Sequence, residues 1–159
     1  MKNRRLAYAL VLVAVMLLSR GVWSHCEIPC GIYDDELRYD LLEEHITTIE
    51  KSMDMAVQLS AEGDKNYNQL VRWVVNKEDH ANKFMEIVTQ YFLTQRIKPA
   101  GSDAGDEYEY YITQVSLMHR MLVSAMKCKQ TTDKSHVEKL RELVAESRKL
   151  YFEKHGHEH

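Results

Sequence analysis

Between Asp35 and Lys154, apolar residues return every three or four positions in four successive stretches, with polar residues filling the places between. That spacing puts the apolar side chains on one stripe of an α-helix. The first stretch, about Asp35 to Glu62, aligns Leu37, Leu41, Leu42, Ile46, Ile49, Met53 and Ala56, and Gly63 stops it. The second, about Asn66 to Ile97, aligns Leu70, Val74, Ala81, Phe84, Met85, Val88 and Phe92; Pro99 and the segment from Gly101 to Gly105 end it. The third, about Asp106 to Lys129, carries Tyr108, Tyr111, Val115, Met118, Leu122 and Ala125. The fourth, about Lys134 to Lys154, carries Val137, Leu140, Val144, Ser147 and Tyr151, with Thr132 or Asp133 as its N-cap. No stretch alternates as a strand does. Short links between long helices force antiparallel neighbours, so the pattern predicts an all-α fold. Residues 34–154 would form an up-down-up-down antiparallel four-helix bundle.

A different pattern precedes the helices. Met1 to Ser24 has a basic start (Lys2, Arg4, Arg5), an apolar run from Leu6 to Leu18, and a close at Val22-Trp23-Ser24. This is the three-part layout of a secretory signal peptide, and the run is shorter than the roughly 20 residues a bilayer span needs. Residues 1–24 are therefore expected to be cleaved by a signal or maturation peptidase. The mature chain would be exported to a periplasm, the outside medium or an organelle, with no membrane segment. The leader holds four of the 21 basic residues and none of the 24 acidic ones, so the mature chain is clearly acidic. Such a chain gains nothing from a phosphate backbone, which argues against nucleic-acid binding. At the other end, the tail of residues 155–159 (His155-Gly156-His157-Glu158-His159) reads as a solvated, frayed terminus.

The helices carry no recognisable cofactor box. A di-iron bundle needs Glu-x-x-His on two helices, but Leu42, Lys77, Ser116 and Asp133 stand three residues before His45, His80, His119 and His136. Haem attachment through Cys-x-x-Cys-His is also absent. The chemistry falls instead on His25-Cys26-Glu27-Ile28-Pro29-Cys30-Gly31-Ile32-Tyr33. Cleavage after Ser24 makes His25 the first residue, with a free α-amine. That amine and the Cys26 amide nitrogen share one chelate ring, the Cys26 thiolate closes a second, and the Cys30 thiolate can fill the fourth corner. Two nitrogens and two sulfurs in a plane suit Ni(II) or Cu(II), whereas zinc prefers a tetrahedron. The His25 imidazole, tethered beside the amine, can reach the axial position. Pro29 and Gly31 favour a sharp turn. Tyr33 could cover the open metal face, or it could be an ordinary packing residue at the helix entry.

The run His-Cys-x-x-Pro-Cys-Gly-x-Tyr at a processed amino terminus resembles the nickel hook of nickel-containing superoxide dismutases, and the four-helix bundle is similar to that family's scaffold. The resemblance spans residues 25–33 as the hook and the helices behind it. It implies nickel ligation by the His25 amine and imidazole, the Cys26 amide and thiolate, and the Cys30 thiolate, with Tyr33 ordering a small anion or water. It also implies superoxide as substrate, dismutation to dioxygen and hydrogen peroxide through Ni(III)/Ni(II) cycling, and a homo-hexamer. Many members carry Asp where Glu27 stands. The family braces the axial imidazole with a carboxylate from the first helix backed by an arginine; Glu43 and Glu44 are candidates for the former, and His80 stands near the place of the latter.

Two other readings use the same residues. An exported nickel or copper carrier would use the hook and the His-rich tail without turnover. A small helical interaction domain would instead be stapled by a Cys26–Cys30 disulfide, with Cys128 a buried hydrophobe.

Overall fold

The computed structural model describes residues 33–155; the leader, the hook residues His25, Cys26 and Cys30, and the tail beyond His155 lie outside them. Four long helical stretches carry the fold: α1 Asp35–Ala61, α2 Tyr67–Glu86 continued by a wide-turn π-helical segment Ile87–Arg96, α3 Asp106–Gln130, and α4 Ser135–His155. A short 3-10 turn, Gly63–Asn66, links α1 to α2. Among the described residues there is no strand.

Local chemistry accounts for most of the boundaries. The Asp34 carboxylate accepts from the Leu37 amide at 2.9 Å and caps α1, whose first turn is acidic (Asp35, Glu36). At its far end Gly63 takes a positive φ of 72°, which a side chain would resist. α3 has Asp106, Glu107 and Glu109 in its first turn and Lys127 and Lys129 in its last, each sign set against the opposite end of the helix dipole. The Asp133 carboxylate accepts from the Ser135 amide at 2.9 Å and serves the start of α4.

Consecutive helices are neighbours, and α1 packs against α4 to close the set. Along the α1–α4 seam, Arg148 meets Glu36, Asp40 and Glu43, Arg141 meets Glu50, and Lys134 meets Glu50 and Asp54. Numbers rise on one helix as they fall on the other, the order that opposed neighbours produce. The core between the helices is dry and mixed aromatic and aliphatic: Tyr39, Leu42, Ile46, Phe84, Phe92, Met118, Met121, Leu140 and Tyr151 are all essentially inaccessible. Tyr39 and Phe92 stand 4.7 Å apart between ring centroids in a tilted packing.

The structure departs from the periodic reading in two places. The second helix runs to Arg96, but its last part widens to π-helical turns, seen in bonds such as Ile97 N to Phe92 O. The apolar stripe is also interrupted. Leu37 is 46% exposed, because the inaccessible Tyr39 takes the core-facing place in that turn. Val74 is 40% exposed and belongs to a wider uncovered face with Val57, Tyr67, Val71 and Val75. The cause is length: α3 ends at Gln130, beside Lys77, so the turns of α2 before Lys77 have no third helix over them.

Lys77 is the buried polar element of this seam. Its ammonium donates to the carbonyls of Lys129 at 2.7 Å and Thr131 at 3.2 Å, satisfying orphan acceptors at the end of α3. Lys77→Ala leaves those carbonyls unpaired, and we expect a loss of about 1–3 kcal/mol, measured as a lower urea midpoint at unchanged m-value.

Candidate functional site

The four residues that sequence singles out divide sharply. His25, Cys26 and Cys30 lie outside the described residues, and Tyr33 is the one whose surroundings are described; it is 41% exposed, two residues before α1. Among the described residues no group of three or more His, Cys, Asp or Glu side chains converges as a metal cage. Cys128 is buried in the core, and burial pushes its thiol up to about 11, so at neutral pH it is a protonated packing group and a poor ligand.

Directly after Tyr33 the chain enters a dense polar knot that sequence reasoning missed. The Asp35 carboxylate accepts from the Tyr91 hydroxyl at 2.6 Å and the Tyr151 hydroxyl at 2.7 Å. Arg96 adds two N–H donors, Nε at 3.1 Å and an η-nitrogen at 2.5 Å, and Nε also donates to the Tyr151 oxygen at 3.1 Å. The Asp35 and Arg96 side chains are only 12% and 19% exposed. Burial by itself raises a carboxyl; here the hydrogen bonds from Arg96, Tyr91 and Tyr151, with the Arg96 charge, outweigh it and hold Asp35 below the usual range. Burial, reinforced by Asp35, pushes both tyrosines upward, so they remain donors at all ordinary pH. Arg38 stacks over the Tyr91 ring at 4.9 Å and places a second cation there. In the sequence Asp35 reads as a routine first-turn acid, and nothing in its neighbours announces partners on other elements.

Arg96 also borders a cleft of about 270 Å³ whose wall includes Lys98, Tyr110, Gln114 and Lys154. Lys98 donates to the Gln95 carbonyl at 3.0 Å, and the Lys154 ammonium sits 4.2 Å over the Tyr110 ring. Glu107 lines the same cleft and Arg96 is already paired with Asp35, so Lys98 and Lys154 are the cations that these two acids leave there.

A second polar contact crosses the α1–α2 seam. His45 and His80 face each other with Nδ1 atoms 3.1 Å apart and rings nearly perpendicular. Such a contact needs one ring as donor and the other as neutral acceptor. Sequence had placed His80 near the family's arginine position and Glu43 and Glu44 as acidic candidates; the structure pairs His80 with His45 instead. Glu43 instead sits beside Arg148, and the Glu44 charge acts on both imidazoles. Desolvation lowers both histidines, His80 and Lys83 adding to it for His45 and Lys83 for His80, while Glu44, and Asp79 on His80, pull the other way.

The sign follows from those directions. An unfolded histidine takes up its proton near pH 6.5, whereas the folded pair resists until the pH is lower. Stability from this contact is complete above the unfolded value and is lost as pH falls below it. We expect the urea midpoint to drop between pH 7 and about 5, and His80→Gln to flatten that slope; an unchanged slope would remove the pair as its source.

Comparison with known proteins adds one match. The model of the nickel-containing superoxide dismutase family matches residues 20–155. No curated protein and no solved structure matches significantly.

Proposed function

The chain belongs to the nickel-containing superoxide dismutases, and from that membership we propose that His25, Cys26 and Cys30 become its nickel ligands once residues 1–24 are removed. It is an oxidoreductase that uses nickel and acts on superoxide. The observation that carries the site assignment is the extent of the family match, which runs through the whole His25–Tyr33 motif and the helices behind it.

The donor set fits the metal. A terminal amine, a deprotonated amide nitrogen and two thiolates are strong donors that suit a flat four-coordinate ion, and electron-rich sulfurs favour a higher oxidation state. When bound, nickel would supply a one-electron Ni(III)/Ni(II) couple by which two superoxide ions and two protons become dioxygen and hydrogen peroxide. The chain has three tasks around that couple. His25 would hold the metal through its α-amine and would offer its imidazole as a further nitrogen donor. Tyr33, half exposed at the helix entry, donates a hydrogen bond to a small anion or water. Lys98 and Lys154, on the cleft beside Arg96, supply local positive charge against the repulsion between an acidic chain and an anionic substrate.

Maturation and assembly belong to the same proposal. The basic, apolar and small-residue layout of residues 1–24 supports export followed by peptidase cleavage. An oxidising compartment favours a Cys26–Cys30 disulfide, so metal loading competes with thiol oxidation. The face formed by Val57, Tyr67, Val71, Val74 and Val75, each 40–60% exposed, supports burial against further copies in a homo-hexamer.

The mature chain, prepared with His25 first, is expected to bind one nickel per chain and to accelerate superoxide decay. One extra residue before His25 removes the amine and spares every side chain, so both properties should be lost. His25→Ala should keep planar nickel, seen by visible absorption, while turnover falls by at least about tenfold. Full turnover by the extended chain would overturn the terminal site.

A further inference from the structure

We propose that the cleft bordered by Arg96, α3 and the end of α4 binds a small organic carboxylate, recognised by Gln114, Lys98 and Lys154. The inference owes nothing to the metal assignment and uses described residues alone. The cleft holds about 270 Å³, just under the roughly 300 Å³ at which small-molecule pockets begin. On α3, Glu107, Tyr110, Tyr111 and Gln114 follow the spacing of one helix face, and all four line it. Gln114 is the informative one. It is 6% exposed, yet its side-chain amide has no hydrogen-bond partner among the described residues. Its polar atoms are not fully sealed, so the surface it keeps is on the cleft that it lines. The other buried glutamine, Gln95, donates to the Gln90 carbonyl at 2.9 Å. A buried amide without a partner is costly, and a ligand oxygen in the cleft relieves that cost.

The charges on the wall set the sign of the ligand. Asp35 neutralises Arg96 and Glu107 opposes one lysine, which leaves a single net positive charge from Lys98 and Lys154. Both ammonium groups are anchored. Lys98 spends one N–H on the Gln95 carbonyl at 3.0 Å and keeps two, while Lys154 rests 4.2 Å over the Tyr110 ring. One excess charge suits a monoanion; a compact dianion such as phosphate brings more negative charge than the wall can match beside Glu107. The rest of the lining, Pro99, Ala100 and the Tyr111 ring, offers apolar contact to a flat hydrocarbon body. A carboxylate on such a body answers each feature, because its two oxygens accept from an amide and from ammonium groups together.

Benzoate is the probe, with benzamide as its uncharged match and inorganic phosphate as the compact anion, each measured by equilibrium dialysis against the mature chain as isolated. The expected result is one saturable benzoate per chain with a Kd of about 1 mM or below, and binding at least about fivefold weaker for benzamide and for phosphate. Gln114→Leu should keep its far-UV circular dichroism and a urea midpoint no lower than the parent's, while benzoate binds about tenfold more weakly. Lys98→Gln combined with Lys154→Gln should weaken benzoate by a similar factor, and it carries the test if Gln114→Leu fails to fold. Benzamide or phosphate binding as tightly as benzoate would overturn the carboxylate assignment, as would the absence of saturable binding. Unchanged benzoate affinity in whichever variant folds would put the ligand elsewhere, the metal included, and overturn the cleft as its site.

Discussion

One carboxylate with four donated hydrogen bonds, that of Asp35, ties three helical stretches together. It links the first turn of α1 to the last turns of the second helical stretch and to the end of α4. A buried charge is costly unless it is paired and its lone pairs are filled. Here Arg96 supplies the charge and the two tyrosines fill the rest, so the group stays ionised in a nearly closed site. The surrounding aromatic rings keep water out: Tyr151 packs edge-on against Phe92, and Phe92 edge-on against Tyr91. The polar knot and the aromatic core are therefore one unit, and the helix entry is as firmly set as the core itself.

That arrangement leaves the helices as a scaffold among the described residues. A bundle can house a metal among its helices, but the described helices here offer no such cage. They offer a rigid end instead. The cations near that end matter because the substrate is an anion and the chain is acidic: long-range repulsion is a property of net charge, whereas capture is decided by the nearest few side chains. The same division protects the core. Cys128, the thiol not assigned to nickel, is buried and held protonated, which keeps it from the peroxide that the reaction releases.

The His45–His80 contact has another character. It bridges α1 and α2 with a single shared proton in a seam that also holds the Ser52–Asn76 hydrogen bond at 3.0 Å. Asn76 belongs to the turns of α2 that α3 leaves uncovered, whereas His80 lies beyond Lys77.

How much of this was legible in the residues follows from range. Helix positions, the cap at Asp133 and the stop at Gly63 depend on neighbours within a turn or two, so periodicity and cap chemistry revealed them. The hook was legible for the same reason: its proposed donors lie within six residues of one another, and chelate spacing is a local property. The widened turns after Ile87, the convergence of Tyr91, Arg96 and Tyr151 on Asp35, and the pairing of His45 with His80 were not legible. Those partners are separated by 35 to 116 positions, and a tyrosine or a histidine on a helical stripe looks alike whether it packs or bonds. Sequence by itself determined the helices and displayed the motif proposed to bind the metal. Only tertiary packing decided which buried polar groups meet, because a buried donor must take whatever acceptor the neighbouring helix brings within 3 Å.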